Sequence, residues 1–397
     1  MTNDELIKVS QEVLAQTYGR LPVVLVRGEG CRVWDAEGKA YLDFVAGIGV
    51  CNLGHCHPRV VQAIREQAGK LLHVSNLYHI EPQIELARLL VKHSFADRVF
   101  FCNSGTEANE AAIKLARKYS NDHFGPNRFE VVSLEKSFHG RTMASLAATG
   151  QEKFHKGFEP LMAGFKYVPQ NDLSAMEAAI TDSTCAVILE PIQAEGGVNM
   201  PGENYLREVR QICDRKKLLL IFDEVQVGMG RTGKLFCYEH YGVTPDIMTM
   251  AKGLAGGVPI GAMLATEEAA KSFTPGTHAA TFGGNPLSTA AGLAALRVTL
   301  EEGIMENCLR SGAHFFQRLE GLQKKYSFIQ EVRGKGLMVG VEFTREVKGT
   351  VNELLKQGFL INCTSDTVMR FVPPLIITPA EIDRLIAALD GIFSAWS

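Results

Sequence analysis

Along the chain, short continuous apolar runs alternate with apolar residues at helical spacing. Four of these runs resemble buried strands, and they are Arg98–Cys102, Phe129–Ser133, Cys185–Leu189 and Leu218–Phe222. Alternation of this kind predicts an α/β fold, in which helices cover both faces of a largely parallel sheet. Ligand-binding residues of such folds gather in the crevice at the C-terminal ends of the strands.

The two ends of the chain differ from this middle part. Near the N-terminus, Gly30–Asp43 predicts a hairpin of two short strands that turns at Glu37 and Gly38. Residues 58–93 show helical spacing, interrupted by a polar stretch at His73–His79 that predicts a loop between two helices.

From about residue 287 onward, two long helical patterns are followed by short strand patterns, an order typical of a smaller α+β domain. We therefore expect a large domain at 46–286 and a small domain formed by 1–45 together with 287–397. No flexible linker separates them, so the hinge between the domains should lie in packed structure.

The composition narrows the class of partner. With 397 residues, 46% hydrophobic and 21% charged, and no low-complexity tract, the chain is typical of a soluble α/β protein. The formal net charge is −3 with both signs interspersed, which disfavours nucleic acid and anionic membranes and favours a small-molecule partner. The N-terminal segment carries acidic residues and no continuous apolar run, so we expect a cytoplasmic protein without a secretory signal.

The cysteine pattern argues against disulfides and metal. Nine cysteines, an odd number without a C-x-x-C pair, suit reduced thiols. Cys51, His55, Cys56 and His57 lie close together but lack zinc-ligand spacing and a second Cys/His pair nearby. We therefore expect a packed turn there and no metal site.

The first candidate site follows the strand at Arg98–Cys102, where the sequence NSGTEAN leads into a helical pattern. A small-residue turn at a helix N-terminus favours an anion, because unpaired N–H groups and the positive end of the helix dipole meet there. Ser104, Gly105 and Thr106 are therefore candidate phosphate ligands. Ser104 or Thr106 could equally be an ordinary helix cap.

Two further residues have unusual surroundings. Asp223 ends a buried strand, where an acid either caps the next turn or meets a cationic ligand. Lys252 lies among apolar and glycine residues in TMAKGLAGG, which makes it a candidate nucleophile activated by desolvation. Each feature alone is ambiguous, but a phosphate cradle, a carboxylate for a pyridinium proton and a desolvated lysine together meet the requirements of a pyridoxal phosphate site.

Seven motifs in order across roughly residues 18–376 resemble those of the class III aminotransferases. They are SGTEAN, FHGR, EPIQAEGG, FDEVQVGMGRTG, AKGLAGG, TFGGNP and RFVPPL. The resemblance implies a fold-type I enzyme dependent on pyridoxal 5'-phosphate, with a large and a small domain. It also implies a homodimer whose active sites lie at the subunit interface.

The same resemblance implies roles in holding the cofactor. Lys252 would bind it as a Schiff base and carry protons, Asp223 would pair with the pyridine nitrogen, and Phe138 would stack on the ring. The other implied cofactor contacts are Ser104, Gly105 and Thr106 at the phosphate, Glu224, Val225 and Gln226 near the ring, and Thr281 at the phosphate of the neighbouring subunit. Thr281 on its own is more typical of a turn.

An ω-aminotransferase must accept an amine far from its carboxylate and then 2-oxoglutarate, whose carboxylate lies beside the reacting carbon. Guanidinium groups bind carboxylates bidentately, and the resemblance assigns Arg141 to the donor's α-carboxylate and Arg370 to that of 2-oxoglutarate. Glu195 would neutralise Arg370 when no substrate carboxylate is beside it. Tyr18 would line the donor pocket, and Ala280, where relatives often carry a hydroxyl residue, would offer backbone contacts alone.

The implied reaction is ping-pong transfer of the δ-amino group of N2-acetylornithine to 2-oxoglutarate, as in arginine biosynthesis. Ornithine, succinylornithine, succinyldiaminopimelate and 4-aminobutyrate stay open as donors, because a missing methylene is worth only about 1–3 kcal/mol of discrimination. An aminomutase and a non-catalytic binding protein are the alternative classes, and Arg141 speaks against the aminomutase. Without the resemblance, Arg141 and Arg370 would be structural ion pairs, Glu195 a loop acid and Tyr18 a packed ring.

Overall fold

The N-terminal part of the fold contains a three-stranded antiparallel arrangement. The computed structural model describes residues 1–396, and its first elements are α1 (Asn3–Val13), β1 (Leu25–Glu29), β2 (Arg32–Asp35), β3 (Ala40–Asp43) and the short turn α2 (Ala46–Gly49). The predicted hairpin is confirmed, since β2 and β3 pair antiparallel across Glu37 and Gly38. Strand β1, which the sequence did not indicate, pairs with β2.

The central sheet has seven strands, β4 (Arg98–Cys102), β5 (Glu130–Leu134), β6 (Phe165–Val168), β7 (Thr184–Leu189), β8 (Leu219–Asp223), β9 (Ile247–Met250) and β10 (Gly261–Ala265). Their spatial order is β4-β10-β9-β8-β7-β5-β6. Strand β10 is antiparallel to both neighbours, and the other pairs are parallel. The predicted largely parallel sheet is confirmed, and its four predicted strands lie within one residue of their predicted bounds.

Helices precede, separate and follow these strands along the chain, although only short 3-10 turns lie between β8 and β9 and between β9 and β10. The helices are α3 (Pro58–Ala68), α4 (Glu81–Lys92), α5 (Gly105–Phe124), α6 (Met143–Ala148), α7 (Glu152–His155), α8 (Leu173–Ala179), α9 (Tyr205–Lys216) and α10 (Glu267–Ala270). The predicted loop at His73–His79 lies between α3 and α4. Helix α5 buries small side chains such as Ala108, Ala111 and Ala112, which lets its N-terminus approach the sheet closely.

The C-terminal part comprises α11 (Pro286–Glu301), α12 (Ile304–Lys325), β11 (Ile329–Lys335), β12 (Met338–Phe343), α13 (Lys348–Lys356), β13 (Phe359–Leu360), β14 (Asn362–Ser365), β15 (Val368–Phe371) and α14 (Pro379–Ser394). Four of its strands form an antiparallel sheet in the order β11-β12-β15-β14. The fifth, β13, pairs in parallel with β3, so both ends of the chain share one sheet.

This shared sheet bears on the domain division. We propose the division predicted from the sequence, 46–286 against 1–45 with 287–397, because β13 ties the first strands to the C-terminal part. One large apolar core also joins the C-terminal helices to the central sheet, which is consistent with a packed hinge. Among residues 1–396, none of the helices is long and apolar enough to cross a bilayer.

Candidate active site

A cavity of about 430 Å³ lies at the C-terminal ends of the parallel strands, where the α/β pattern predicts a ligand site. Loops that follow β4, β5, β7, β8 and β9 supply its walls. The sequence-predicted residues that line it are Ser104, Gly105, Thr106, Phe138, Arg141, Asp223, Val225, Gln226 and Lys252. Glu195 and Arg370 join this group, because both are hydrogen-bonded to the Gln226 side chain.

The turn after β4 brings the N-terminus of α5 to the cavity. The Ser104 hydroxyl caps the helix by accepting a hydrogen bond from the Glu107 N–H at 3.3 Å. The cap leaves the first N–H groups of the helix, those of Gly105 and Thr106, without a partner inside the helix. A Cβ at Gly105 would lie 2.7 Å from Cγ1 of Val225, so glycine is required for this close approach. Ser104 is therefore a helix cap, and the helix start that it caps is suited to an anion, as the predicted phosphate site requires.

Asp223, the last residue of β8, is buried and held by three contacts. Its Oδ2 accepts from Nδ2 of Asn109 at 2.7 Å and lies 2.8 Å from Nδ1 of His139, and its Oδ1 accepts from the Val225 N–H at 3.0 Å. The Thr249 hydroxyl in turn donates to Oδ1 of Asn109 at 2.7 Å. The carboxylate is thus fixed in orientation and keeps lone pairs for a cationic N–H in the cavity.

Lys252 follows β9 and is enclosed by the cavity walls. Its φ of +45° is a left-handed conformation that residues with side chains rarely adopt and that occurs often at functional sites. Burial lowers the pKa of its ammonium to about 8; Glu195 and Asp223 oppose this shift, whereas the Arg370 charge adds to it. The neutral, nucleophilic amine is therefore far more abundant at pH 7 than it is for an exposed lysine.

A second buried carboxyl lines the cavity. Glu190 follows β7, and its two oxygens accept from the backbone N–H groups of Phe138 at 3.1 Å and Ala194 at 3.3 Å. Burial and the charge of Asp223 raise its pKa well above the usual value. Glu190 thereby positions both Phe138 and the loop that leads to Glu195.

Arg370, on β15, is fully buried and paired with Glu195. Its Nη1 donates to Oε1 of Glu195 at 2.6 Å and to Oε1 of Gln226 at 2.9 Å, and its Nε donates to Oδ1 of Asn362 at 3.4 Å. Within residues 1–396, its Nη2 has no hydrogen-bond partner. Burial would raise the pKa of Glu195, but the charges of Arg370 and Lys252 outweigh burial and lower it. A buried guanidinium with one free nitrogen and a replaceable carboxylate is suited to binding a ligand carboxylate.

Arg141 is built differently. It is exposed, and no carboxylate of the described chain pairs with it. Its guanidinium carbon lies 4.1 Å from the ring centre of Phe154 and 5.7 Å from that of Phe138, and the two rings pack edge to face. Aromatic faces orient a cation without neutralising it, so Arg141 keeps its charge for a ligand.

The Glu224 side chain does not reach the cavity. Its carboxylate accepts from the backbone N–H groups of Cys237 at 2.6 Å and Tyr238 at 2.7 Å, on the far side of the turn. Burial raises its pKa to about 8. The carboxyl therefore organises the following turn, and any contact of Glu224 with the cofactor would come from its backbone.

Ala280, Thr281 and Tyr18 also lie outside this cavity. Ala280 and Thr281 line a neighbouring cavity, and the Thr281 side chain is exposed. Tyr18 is 72% exposed, lies beside Arg20 and lines a third cavity under α1. Within one subunit, therefore, none of the three meets Lys252.

Three residues of the site were not singled out from the sequence, namely Asn109, His139 and Glu190. Each is a polar residue inside one of the seven motifs, SGTEAN, FHGR and EPIQAEGG, and each lies in the loop or the first helical turns that follow a strand of the central sheet. That position was the available signal. Their partners are 114, 84 and 52 positions away in sequence, so the contacts themselves could not be read from it.

The residues around the cavity fit pyridoxal phosphate. The helix start at Gly105, where a Cβ would fill the space, suits the phosphate; Asp223 suits a protonated ring nitrogen; and Lys252 suits the aldehyde. Phe138 and Val225 line the space between these groups. The fold and this site define a fold-type I pyridoxal-phosphate-dependent transaminase.

Comparison with known proteins agrees with this class. The profile of the aminotransferase class-III family matches residues 13–393, and the chain belongs to this family.

Several curated relatives match over nearly their whole length. An acetylornithine aminotransferase of Caldanaerobacter subterraneus subsp. tengcongensis is 56% identical over 390 residues, covering 98% of this chain and 99% of the relative. One of Methanocaldococcus jannaschii is 54% identical over 395 residues, covering 99% of both. Among solved structures, the ornithine aminotransferase of Toxoplasma gondii ME49 has a TM-score of 0.96 at 35% identity, covering 100% of this chain and 96% of that chain. An N-acetylornithine aminotransferase of Stenotrophomonas maltophilia K279a has a TM-score of 0.84 at 39% identity, covering 98% and 100%.

Proposed function

We propose that this aminotransferase transfers the δ-amino group of N2-acetyl-L-ornithine to 2-oxoglutarate, as in arginine biosynthesis. The observation that carries the proposal is the pair of unlike arginines at the cavity, one free and one covered by a carboxylate. The names of the relatives at 54–56% identity support the donor.

Arg141 is the proposed site for the donor's α-carboxylate. The donor's reacting δ-amine and its α-carboxylate lie at opposite ends of the molecule, so a carboxylate at Arg141 leaves the amine free to reach Lys252. Because Arg141 has aromatic neighbours and no protein carboxylate, it offers both edges of its guanidinium to the substrate.

Arg370 and Glu195 form what we call the gate, an ion pair of 2.6 Å between a buried arginine and a partly exposed glutamate. When a δ-amine occupies the site, no substrate carboxylate is near Arg370, and Glu195 neutralises it. When 2-oxoglutarate or glutamate occupies the site, its α-carboxylate would displace Glu195 and use the free Nη2 of Arg370. One cavity can thereby serve two unlike substrates.

Asp223 and Lys252, which we call the floor of the cavity, perform the chemistry common to both substrates. Bound pyridoxal phosphate supplies an electron-accepting ring and a carrier for the amino group. Asp223 holds the proton on the ring nitrogen, and the Lys252 amine moves a proton at the reacting carbon of the substrate. Phe138 and Val225 present apolar side chains to the cavity and would limit the access of water to the reacting groups.

We further propose a homodimer with shared active sites. The turn around Thr281 is bonded to the loop between α3 and α4, because Nδ2 of Asn76 donates to the carbonyl oxygen of Gly283 at 2.8 Å. In the same two segments, Phe282 is 61% and Leu77 83% exposed, and apolar side chains of this size favour cover by a partner. Thr281 of one subunit would then reach the phosphate of the other. A holoenzyme with the molar mass of a monomer in light scattering would contradict the proposed dimer.

A donor panel tests the function. We expect kcat/KM with 2-oxoglutarate as acceptor to be highest for N2-acetylornithine and lower for ornithine, succinylornithine, succinyldiaminopimelate and 4-aminobutyrate. Ornithine is the second candidate, because the fold is so similar to that of ornithine aminotransferase. A higher value for ornithine or for 4-aminobutyrate would reassign the donor, and absence of turnover with every ω-amine would refute the proposal.

A further inference from the structure

Four residues form one row across the C-terminal sheet. Arg333 on β11 pairs with Gly340 on β12, Gly340 pairs with Arg370 on β15, and Arg370 pairs with Asn362 on β14. Directly paired residues on neighbouring strands present their side chains to the same face of a sheet. The two arginines therefore face the same side, separated by a residue without a side chain.

The loop that carries Glu195 lies on this row and is bonded to both arginines. Arg370 binds the Glu195 carboxylate at 2.6 Å. Arg333 donates from Nη2 to the carbonyl oxygen of Gly197 at 2.7 Å, and from Nε to the carbonyl oxygens of Gly197 and Val198, each at 3.1 Å. One arginine thus binds the side chain of the loop, and the other binds its backbone.

Gly340 makes room for the loop between the two arginines. A Cβ on Gly340 would lie 2.8 Å from Cβ of Val198, which is closer than side-chain carbons approach. Val198 is fully buried and has a φ of +55°, a conformation that residues with side chains rarely adopt. Contacts with the sheet therefore determine the backbone of the loop.

The other side of the loop is equally fixed. Gln193 and Asn199 close its base with two backbone hydrogen bonds of 3.1 and 2.9 Å, and Nδ2 of Asn199 donates to the carbonyl oxygen of Gly196 at 3.1 Å. A Cβ on Gly196 would lie 2.4 Å from the carbonyl oxygen of Lys136. With its backbone held on both sides, Glu195 can leave Arg370 only by rotating its own side chain.

The charge of Arg333 is already balanced by two carboxylates of the antiparallel C-terminal sheet. Its Nη1 is paired with the carboxylates of Glu331 and Glu342, and its side chain is 10% exposed. Its remaining donors go to the two loop carbonyls, so Arg333 has no ligand of its own to bind. We propose that Arg333 is a positioning residue that holds the Glu195 loop against the sheet and thereby sets the balance between the two half-reactions. The inference rests on the gate of the proposed function.

The test compares two reactions of the same holoenzyme. Absorbance of the bound cofactor is followed after mixing with N2-acetylornithine alone, or the best ω-amine of the donor panel, and with glutamate alone. In Arg333→Gln, we expect the kcat/KM ratio of ω-amine to glutamate to fall at least about ten-fold, because the ω-amine needs Glu195 to neutralise Arg370 while glutamate brings its own α-carboxylate. Equal loss in both reactions, or an unchanged ratio, would overturn the inference.

Matched variants separate this inference from the gate itself. Glu195→Ala should lower the same ratio, and adding Arg333→Gln to it should lower the ratio no further. If Glu195→Ala leaves the ratio unchanged, the gate fails and the inference with it. If Glu195→Ala lowers the ratio but Arg333→Gln does not, only the role of Arg333 fails.

Two milder variants cover the case in which Arg333→Gln does not fold. Arg333→Lys keeps a positive charge beside Glu331 and Glu342 but loses the guanidinium hydrogen bonds to the loop carbonyls. Gly340→Ala introduces a Cβ that clashes with Val198 and leaves the charge unchanged. Both should lower the ratio, and an unchanged ratio in both would overturn the inference. Arg345→Gln is the control. Arg345 lies in the same part of the chain, but its guanidinium stacks on Trp396, so its loss should leave the ratio unchanged.

Discussion

The floor of the cavity, Asp223 and Lys252, is built in the opposite way to the two arginines proposed to bind substrate carboxylates. We call these arginines, Arg141 and Arg370, the ends of the site. On the floor, Asp223 is buried and held from three directions, and Lys252 is enclosed beside it. At the ends, Arg141 is exposed against aromatic rings, and Arg370 keeps a free nitrogen and a carboxylate that substrate can replace. Fixed groups thus serve the steps that every substrate shares, and adjustable charges serve the steps in which substrates differ.

The difference leads to a general expectation. Substitutions on the floor should lower the ω-amine and glutamate reactions together, whereas substitutions at the ends should change their ratio. The variants below test this expectation, and each is assayed as holoenzyme with either amino substrate over a range of substrate concentrations.

The largest effect is expected on the floor. Lys252→Ala removes the nucleophile and the proton carrier, so both reactions should fall by at least about 10³-fold. The absorbance band of the bound cofactor should shift as well, because its covalent link is lost. Lys70→Ala, at an exposed lysine, is the control. A Lys252→Ala enzyme that keeps either reaction would refute the assignment of the floor.

Arg370→Gln should have the next largest effect, and it should be uneven. Loss of a buried charged partner costs about 2–5 kcal/mol, so the glutamate reaction should fall roughly 30-fold to several thousand-fold. The ω-amine reaction should fall less, although Glu195 is left without its cation and the melting temperature should drop. If both reactions fell equally at unchanged thermal stability, the gate would not distinguish the substrates.

Arg141→Gln is expected to have a smaller effect, because the group is exposed. Loss of hydrogen bonds to a charged carboxylate costs about 1.5–3 kcal/mol, which predicts a fall of roughly 10- to 150-fold in kcat/KM for the ω-amine. The change should appear mainly in KM. Arg297→Gln, an exposed arginine on α11, should behave like the unmodified enzyme. A normal KM in Arg141→Gln would move the α-carboxylate to another group.

Phe154→Leu tests whether the aromatic face prepares Arg141. A cation–π contact contributes about 0.5–2 kcal/mol, so kcat/KM for the ω-amine should fall roughly 2- to 30-fold, with the cofactor absorbance unchanged. Phe158→Leu changes an exposed ring on the same segment and should have no effect. Equal behaviour of the two variants would mean that the ring next to Arg141 is only packing.

The smallest predicted effect is a shift in the pH dependence of the rate at which the protein binds its cofactor. Burial lowers the pKa of Lys252 to about 8, so its reactive neutral form increases as pH rises and is nearly complete above pH 9. The rate at which the apoprotein captures pyridoxal phosphate should therefore rise between pH 6.5 and 9 and then level off. An ordinary lysine, with a pKa of about 10.4, would give a rate that still rises at pH 10. Such a profile would contradict the desolvated floor.

Much of the fold could be predicted, because each predicted strand of the central sheet is a continuous apolar run. Strand β1 was missed because its residues, LVRGE, are mostly exposed and carry two charges, so no apolar pattern marks it. Strand β13 has two residues, too few for any periodicity. Its partner β3 lies at the other end of the chain, and such pairing is set by tertiary packing.

The site was predictable where a motif follows a strand end, since parallel strands bring their C-terminal ends together. Lys252, Asp223 and Gly105 meet for that reason. The pairing of Arg333 with the Glu195 loop could not be predicted, because it depends on the register of three antiparallel strands far along the chain. The raised pKa of Glu190 also depends on burial, which the sequence EPIQ does not show.

The pairing of β3 with β13 has a consequence for synthesis on the ribosome. Leu42 emerges early but finds its partner, Phe359, only when nearly the whole chain has been made. The seven strands of the central sheet, residues 98–265, are complete well before that point and can fold first. A nascent chain interrupted before residue 359 would thus carry a finished cofactor floor and an open edge on β3. Open edges recruit other strands, so such a product should aggregate although its central sheet is intact.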